Sequence, residues 1–195
     1  MCLTGVLSHG DVAYVFTDNN GTKLNVDRNQ CKTKEALIDA VELIQDIGSK
    51  VEILRNGAAL AWASNKPIIK NAIIEAVETR ERTDNPEAYQ GVDGLIGFLV
   101  TPNPLRIYAF EDEGLREIKK VGGVIASWMT VPHFSDVIRE ELGKSLKGVR
   151  LDVIDPNTLW VMLTEALEAI NDRCPMVGCK LHLVRIDSTG AKLIE

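Results

Sequence analysis

Cys2 follows Met1 directly, and the carboxylate of Asp18 closes the second of the two short apolar runs that come next. Removal of Met1, which the small Cys2 side chain permits, would leave a free α-amine beside a thiol. An α-amine has a pKa of about 8 and accepts a proton at neutral pH, so a cysteine in this position carries its own base. Thiol attack on an amide carbonyl would then give an acyl-enzyme thioester for water to hydrolyse. Cys2 also fits a plainer role, a small buried hydrophobe opening an edge strand. Asp18 likewise fits a turn carboxylate at a strand end. Residue type alone leaves both pairs of roles open.

The other reactive side chains form no comparable set. Cys31, Cys174 and Cys179 complete the four cysteines, and His9, His133 and His182 are the three histidines. None of these histidines has ligand spacing to Cys174 and Cys179, so no metal site is expected. No Ser or Cys lies at motif spacing from a histidine either, and no cofactor motif is present. Trp62, Trp128 and Trp160 sit in apolar segments and read as core.

Composition narrows the class further. The 195 residues suit a single domain spanning 1–195, with 45% apolar and 26% charged residues as in ordinary globular proteins. A net charge of −6 with no basic block argues against nucleic-acid and membrane-surface partners. The N-terminus lacks the charged leader and apolar core of a signal peptide, and no apolar run approaches the ~18–20 residues needed to span a bilayer. Cysteines in such a chain are expected to be reduced thiols, which points to a cytoplasmic protein.

The elements that must position Cys2 and Asp18 can be read in order. Cys2–Leu7 and Val12–Phe16 predict a hairpin turning at Ser8-His9-Gly10-Asp11. Asn19–Thr22 reads as a turn on its Asn-Gly pair, and Thr33–Gly48 as a capped helix with Leu37, Ala40, Val41, Ile44 and Ile47 on its buried face. Lys50–Arg55 and Ala58–Ala63 predict a second hairpin, turning at Asn56-Gly57. Pro67 then starts a helix running to about Arg80, and the polar stretch Glu81–Gln90 connects onward.

Gly94–Val100, Leu105–Phe110, Leu115–Ile118 and Val121–Ala126 follow as strands. One helix opens at Pro132 and ends near Gly143; another is capped by Asp155 or Asn157. Lys180–Ile186 and Ala191–Ile194 close the chain as a hairpin. Hairpins dominate over crossovers, so the sheets should be mainly antiparallel and layered with helices, an α+β class.

Four segments of this pattern resemble the proteasome β-subunit and HslV family of N-terminal-nucleophile hydrolases. They are Cys2–Leu7 with Gly10–Asp18, Lys50–Ala63, Leu95–Gly114, and Ala166–Cys174 with Leu181–Gly190. The resemblance implies a four-layer αββα sandwich and hydrolysis of peptide or other amide bonds within a ring-like homo-oligomer. It also implies catalytic roles for Cys2 as nucleophile, Asp18 and Lys50, with the Lys50 ammonium lowering the thiol pKa. The oxyanion would be met by backbone N–H near Ala63-Ser64.

Certain positions depart from the family pattern. Cys2 stands where threonine is usual, although cysteine serves in other N-terminal-nucleophile branches. Lys34 has the family's distance from Asp18, whereas Lys50 has the better local context and is preferred. The family serine falls on Ser127, on Thr130 or on neither, and Asp172-Arg-Cys-Pro175 carries proline where another serine is expected. Two alternatives therefore stand beside the peptidase: a catalytically inactive subunit acting in assembly or binding, and a Cys2 amidase or acyltransferase that is not a protease.

Overall fold

The computed structural model describes residues 3–24, 33, 36, 41–44, 48–62, 97–111, 114–119, 123–130 and 134–194. The opening hairpin forms as the sequence predicts. Strand β1 (Thr4–His9) pairs antiparallel with β2 (Val12–Asp18), Thr4 lying opposite Thr17 and His9 opposite Val12. The Ser8 hydroxyl donates to the Val12 carbonyl at 3.0 Å across the turn.

After β2 come β3 (Gly21–Leu24) and β4 (Val41–Ile44), an antiparallel pair forming a small sheet of their own. Both correct the sequence reading. Gly21 begins a strand within the expected Asn19–Thr22 turn, and β4 interrupts the helix expected over Thr33–Gly48. Val41-Glu-Leu-Ile is a short apolar run that satisfies either periodicity, and pairing with Gly21–Leu24 decides for the strand. The start of the expected helix does carry its cap, because the Thr33 hydroxyl accepts the Ala36 N–H at 3.1 Å.

A second sheet is built from β5 (Val51–Ile53), β6 (Ala59–Trp62), β7 (Gly97–Pro102), β8 (Leu105–Glu111) and β9 (Gly114–Glu117), in sequence order and antiparallel throughout. Its first hairpin turns at Asn56-Gly57 as expected. Asn56 Oδ1 accepts the Ala58 N–H at 2.9 Å, and Gly57 adopts φ 80°, the left-handed region that glycine enters without a Cβ penalty. The expected helix over Pro67–Arg80 and the connector Glu81–Gln90 lie outside the described residues.

The chain returns to the first sheet with β10 (Val124–Met129), which pairs with β1. Helices α1 (Ser135–Ser145) and α2 (Pro156–Arg173) follow, then β11 (Leu181–Asp187) beside β2 and β12 (Gly190–Ile194) at the edge. The order in this sheet is β10-β1-β2-β11-β12. Of the two expected caps, Asp155 starts α2: its Oδ2 accepts the Thr158 N–H at 2.9 Å, with Pro156 in the first turn.

Alternation along the first sheet explains the layering. Val6, Ala13, Val15, Val184 and Ile186 face the second sheet and pack with Ala59, Ala61, Phe98, Val100 and Ile107. Leu7, Tyr14, Phe16 and Leu183 face the other way, onto Ile138 and Leu142 of α1 and Leu163, Leu167 and Ile170 of α2. Burial on both faces is why β1 and β2 read as apolar runs rather than as clean alternation. Helices, first sheet and second sheet are thus stacked around two apolar cores. On the far face of the second sheet, Leu60 and Leu99 are buried as well.

Candidate active site

Asp18 ends β2 with its side chain fully buried. A buried carboxylate is costly unless its oxygens are hydrogen-bonded and its charge is matched. Here both conditions hold. Oδ1 accepts the Leu3 N–H at 2.9 Å and also the Lys50 ammonium, while Oδ2 accepts the Gly178 N–H at 2.7 Å. The Asp18 N–H in turn donates to the Leu3 carbonyl at 3.2 Å. The carboxylate is therefore bonded to the residue that follows Cys2 in the chain.

Lys50 comes from the second sheet. It immediately precedes β5, and its carbonyl accepts the Trp62 N–H at 3.0 Å, so the β5–β6 ladder fixes its backbone. The residue is 1% exposed, and Nζ donates to Asp18 Oδ1 and to the Asn20 carbonyl at 3.0 Å. One buried ion pair thus joins the end of the first sheet to the start of the second. Its two members are those that the sequence singled out.

Cys2 lies outside the described residues, as do Lys34, Cys31 and the Ala63-Ser64 segment. Lys50, the preferred lysine, pairs with Asp18. The two serine surrogates separate by register. Ser127 pairs with Val6, whereas Thr130 follows Met129, the partner of Thr4. Thr130 is therefore at the end of the ladder level with Leu3, with β1 between it and Asp18, and Ser127 is three residues further in, about 10 Å along the strand.

Gly178 was not singled out from the sequence. It belongs to the turn after α2, just beyond the Asp172–Pro175 segment, where proline stands in place of an expected serine. A Cβ at position 178 would fall 2.2 Å from Asn19 Oδ1 and 3.0 Å from the Asn20 amide nitrogen, so only glycine lets this backbone come so close. The expected signal is weak, because the contact is made by an N–H that nearly every residue has.

The remaining candidates lie elsewhere. His9 Nδ1 pairs with Asp152 Oδ1 at 2.9 Å at the opposite end of β1. His182 sits on β11 opposite Thr17. Cys174 is buried and Cys179 exposed, and neither is in a disulfide. No group of three or more His, Cys, Asp or Glu that could hold a metal ion occurs among the described residues. No helix among them is long and apolar enough to cross a membrane. No protein-family model and no curated protein matches the chain.

Proposed function

We propose that the chain is an N-terminal-nucleophile hydrolase similar to proteasome β-subunits, cleaving peptide or other amide bonds through Cys2 once Met1 is removed. The observation that carries this reading is the buried Asp18–Lys50 pair bonded to the Leu3 N–H, one residue from the thiol. Lys50 supplies a fixed positive charge that favours the thiolate, and Asp18 holds Lys50 in place. The Cys2 α-amine acts as base toward the thiol, and the acyl thioester is released by water.

The fold assigned with this reading is a four-layer αββα sandwich of one domain. Burial of Leu60 and Leu99 on the outer face of the second sheet supports the fourth layer. A ring-like homo-oligomer in the cytoplasm goes with the same reading.

A second reading is favoured by the completeness of the ion pair. Asp18 is hydrogen-bonded through both oxygens and Lys50 is engaged twice, as in a structural ion pair. That describes a catalytically inactive subunit serving assembly or binding.

Intact mass of protein isolated from its own host separates the two readings. Loss of Met1, with iodoacetamide mapping to Cys2 in a Cys179→Ser background, supports the hydrolase; the background is needed because Cys179 is exposed. Retained Met1 rules the hydrolase out. A panel of peptides and small amides, read by release of amine, then distinguishes peptidase from amidase.

A further inference from the structure

Asp18 presents its two oxygens to different partners, Oδ1 to Leu3 and Lys50 and Oδ2 to Gly178. A carboxylate turns easily about its last bond, whose torsion is broad and two-fold. Something must hold Asp18 with one oxygen toward Lys50, and the turn joining α2 to β11 is built to do so.

That turn is tied at both ends. The Cys174 N–H donates to the Ile170 carbonyl at 2.7 Å, continuing α2, and the Val177 N–H donates to the Cys174 carbonyl at 3.0 Å. Asn171, on the last turn of α2, donates from Nδ2 to the Val177 carbonyl at 2.5 Å, which orients the peptide unit carrying the Gly178 N–H. At the far end the Lys180 N–H donates to Asn19 Oδ1 at 3.3 Å. The close packing that excludes a side chain at 178 also presses on Asn20, whose carbonyl is the second acceptor for Lys50.

We infer that Asn171 and Gly178 are positioning residues for the Asp18–Lys50 pair: Asn171 fixes the turn, and the Gly178 N–H fixes the rotation of the Asp18 carboxylate. The inference rests on the Cys2 reading above, because its consequence is felt at that thiol. When the turn loosens, Asp18 rotates and Lys50 loses its fixed direction. The thiolate at Cys2 is then less favoured, and its reactivity moves to higher pH.

The test uses the full chain with Met1 removed and Cys179→Ser as background. The rate of iodoacetamide alkylation at Cys2 is measured against pH, and hydrogen exchange is followed at the Gly178 amide. Asn171→Ala loosens the turn without crowding Asn19, and Gly178→Ala attacks the contact directly. The expected result for Asn171→Ala is a cooperative melt, faster exchange at Gly178, and a Cys2 profile shifted upward by about one pH unit, roughly a tenfold loss of thiolate at neutral pH.

Faster exchange at Gly178 with an unmoved Cys2 profile would overturn the positioning role and leave the nucleophile intact. Unchanged exchange in Asn171→Ala would overturn the role of Asn171 as the holder of the turn. A Cys2 profile in the starting protein like that of a cysteine in a short peptide would remove the nucleophile itself, and this inference with it.

Discussion

The Lys50–Asp18 pair is out of contact with water on both sides, so its members depend on each other more than a surface pair does. Lys50→Met should leave a buried carboxylate facing only N–H donors and cost roughly 3–5 kcal/mol, read from urea unfolding. Asp18→Asn combined with Lys50→Met should cost less than the sum of the single changes, because the two sites share one interaction. Additive losses would mean that the pair is not coupled. Asp18 was legible as the carboxylate that closes an apolar strand, whereas Lys50 was singled out only through the resemblance carried by the Lys50–Ala63 hairpin. Gly178 and Asn20 were not, because they act through backbone N–H and C=O groups that residue type does not advertise. Cys2 could be named from its position alone, and the described residues reach only its neighbour Leu3.

Among the elements, α2 was the easiest to read, and it offers the clearest stability tests. Its cap is one of the two expected, Pro156 lies in its first turn, and Leu159, Leu163, Ala166, Leu167 and Ile170 form its buried face at helical spacing. Asp155→Ala should remove the bond to the Thr158 N–H and cost about 1 kcal/mol, visible as a lowered melting temperature. Leu167→Ala should open a cavity against the first sheet and cost roughly 2–5 kcal/mol, since Leu167 is fully buried. The hairpins were legible where a turn residue was diagnostic, as at Asn56-Gly57. They were misread at β3, where the Asn-Gly pair read as a turn, and at β4, whose four-residue run carries too little pattern to outweigh a helical period beginning at a good cap. Long-range pairing decided those segments, and single-sequence periodicity cannot register it.

At the scale of the whole molecule, the first sheet is tied to the connection between α1 and α2 at the end remote from Asp18. The Arg150 guanidinium, and after it the His9 ring, hold the Asp152 carboxyl down to about 2 from an ordinary 3.8. A carboxyl lowered in the folded state stabilises above its unfolded value and loses that contribution as pH falls through the folded one. Melting temperature should therefore decline as pH falls from about 4 to about 2, with Asp152→Asn flattening that part of the curve. An unchanged slope in Asp152→Asn would show that other carboxylates govern the acid limb.

The three donors on Asp18 have a consequence for the order in which the chain folds. They lie 15, 32 and 160 residues away along the chain. Synthesis delivers residue 18 well before residue 178, and contacts of such separation form slowly. Until Gly178 and β11 arrive, β2 lacks one neighbour and the carboxylate lacks its third bond. The carboxylate comes early and one of its donors 160 residues later, so a nascent or truncated product that lacks Gly178 holds an unfinished Asp18–Lys50 pair.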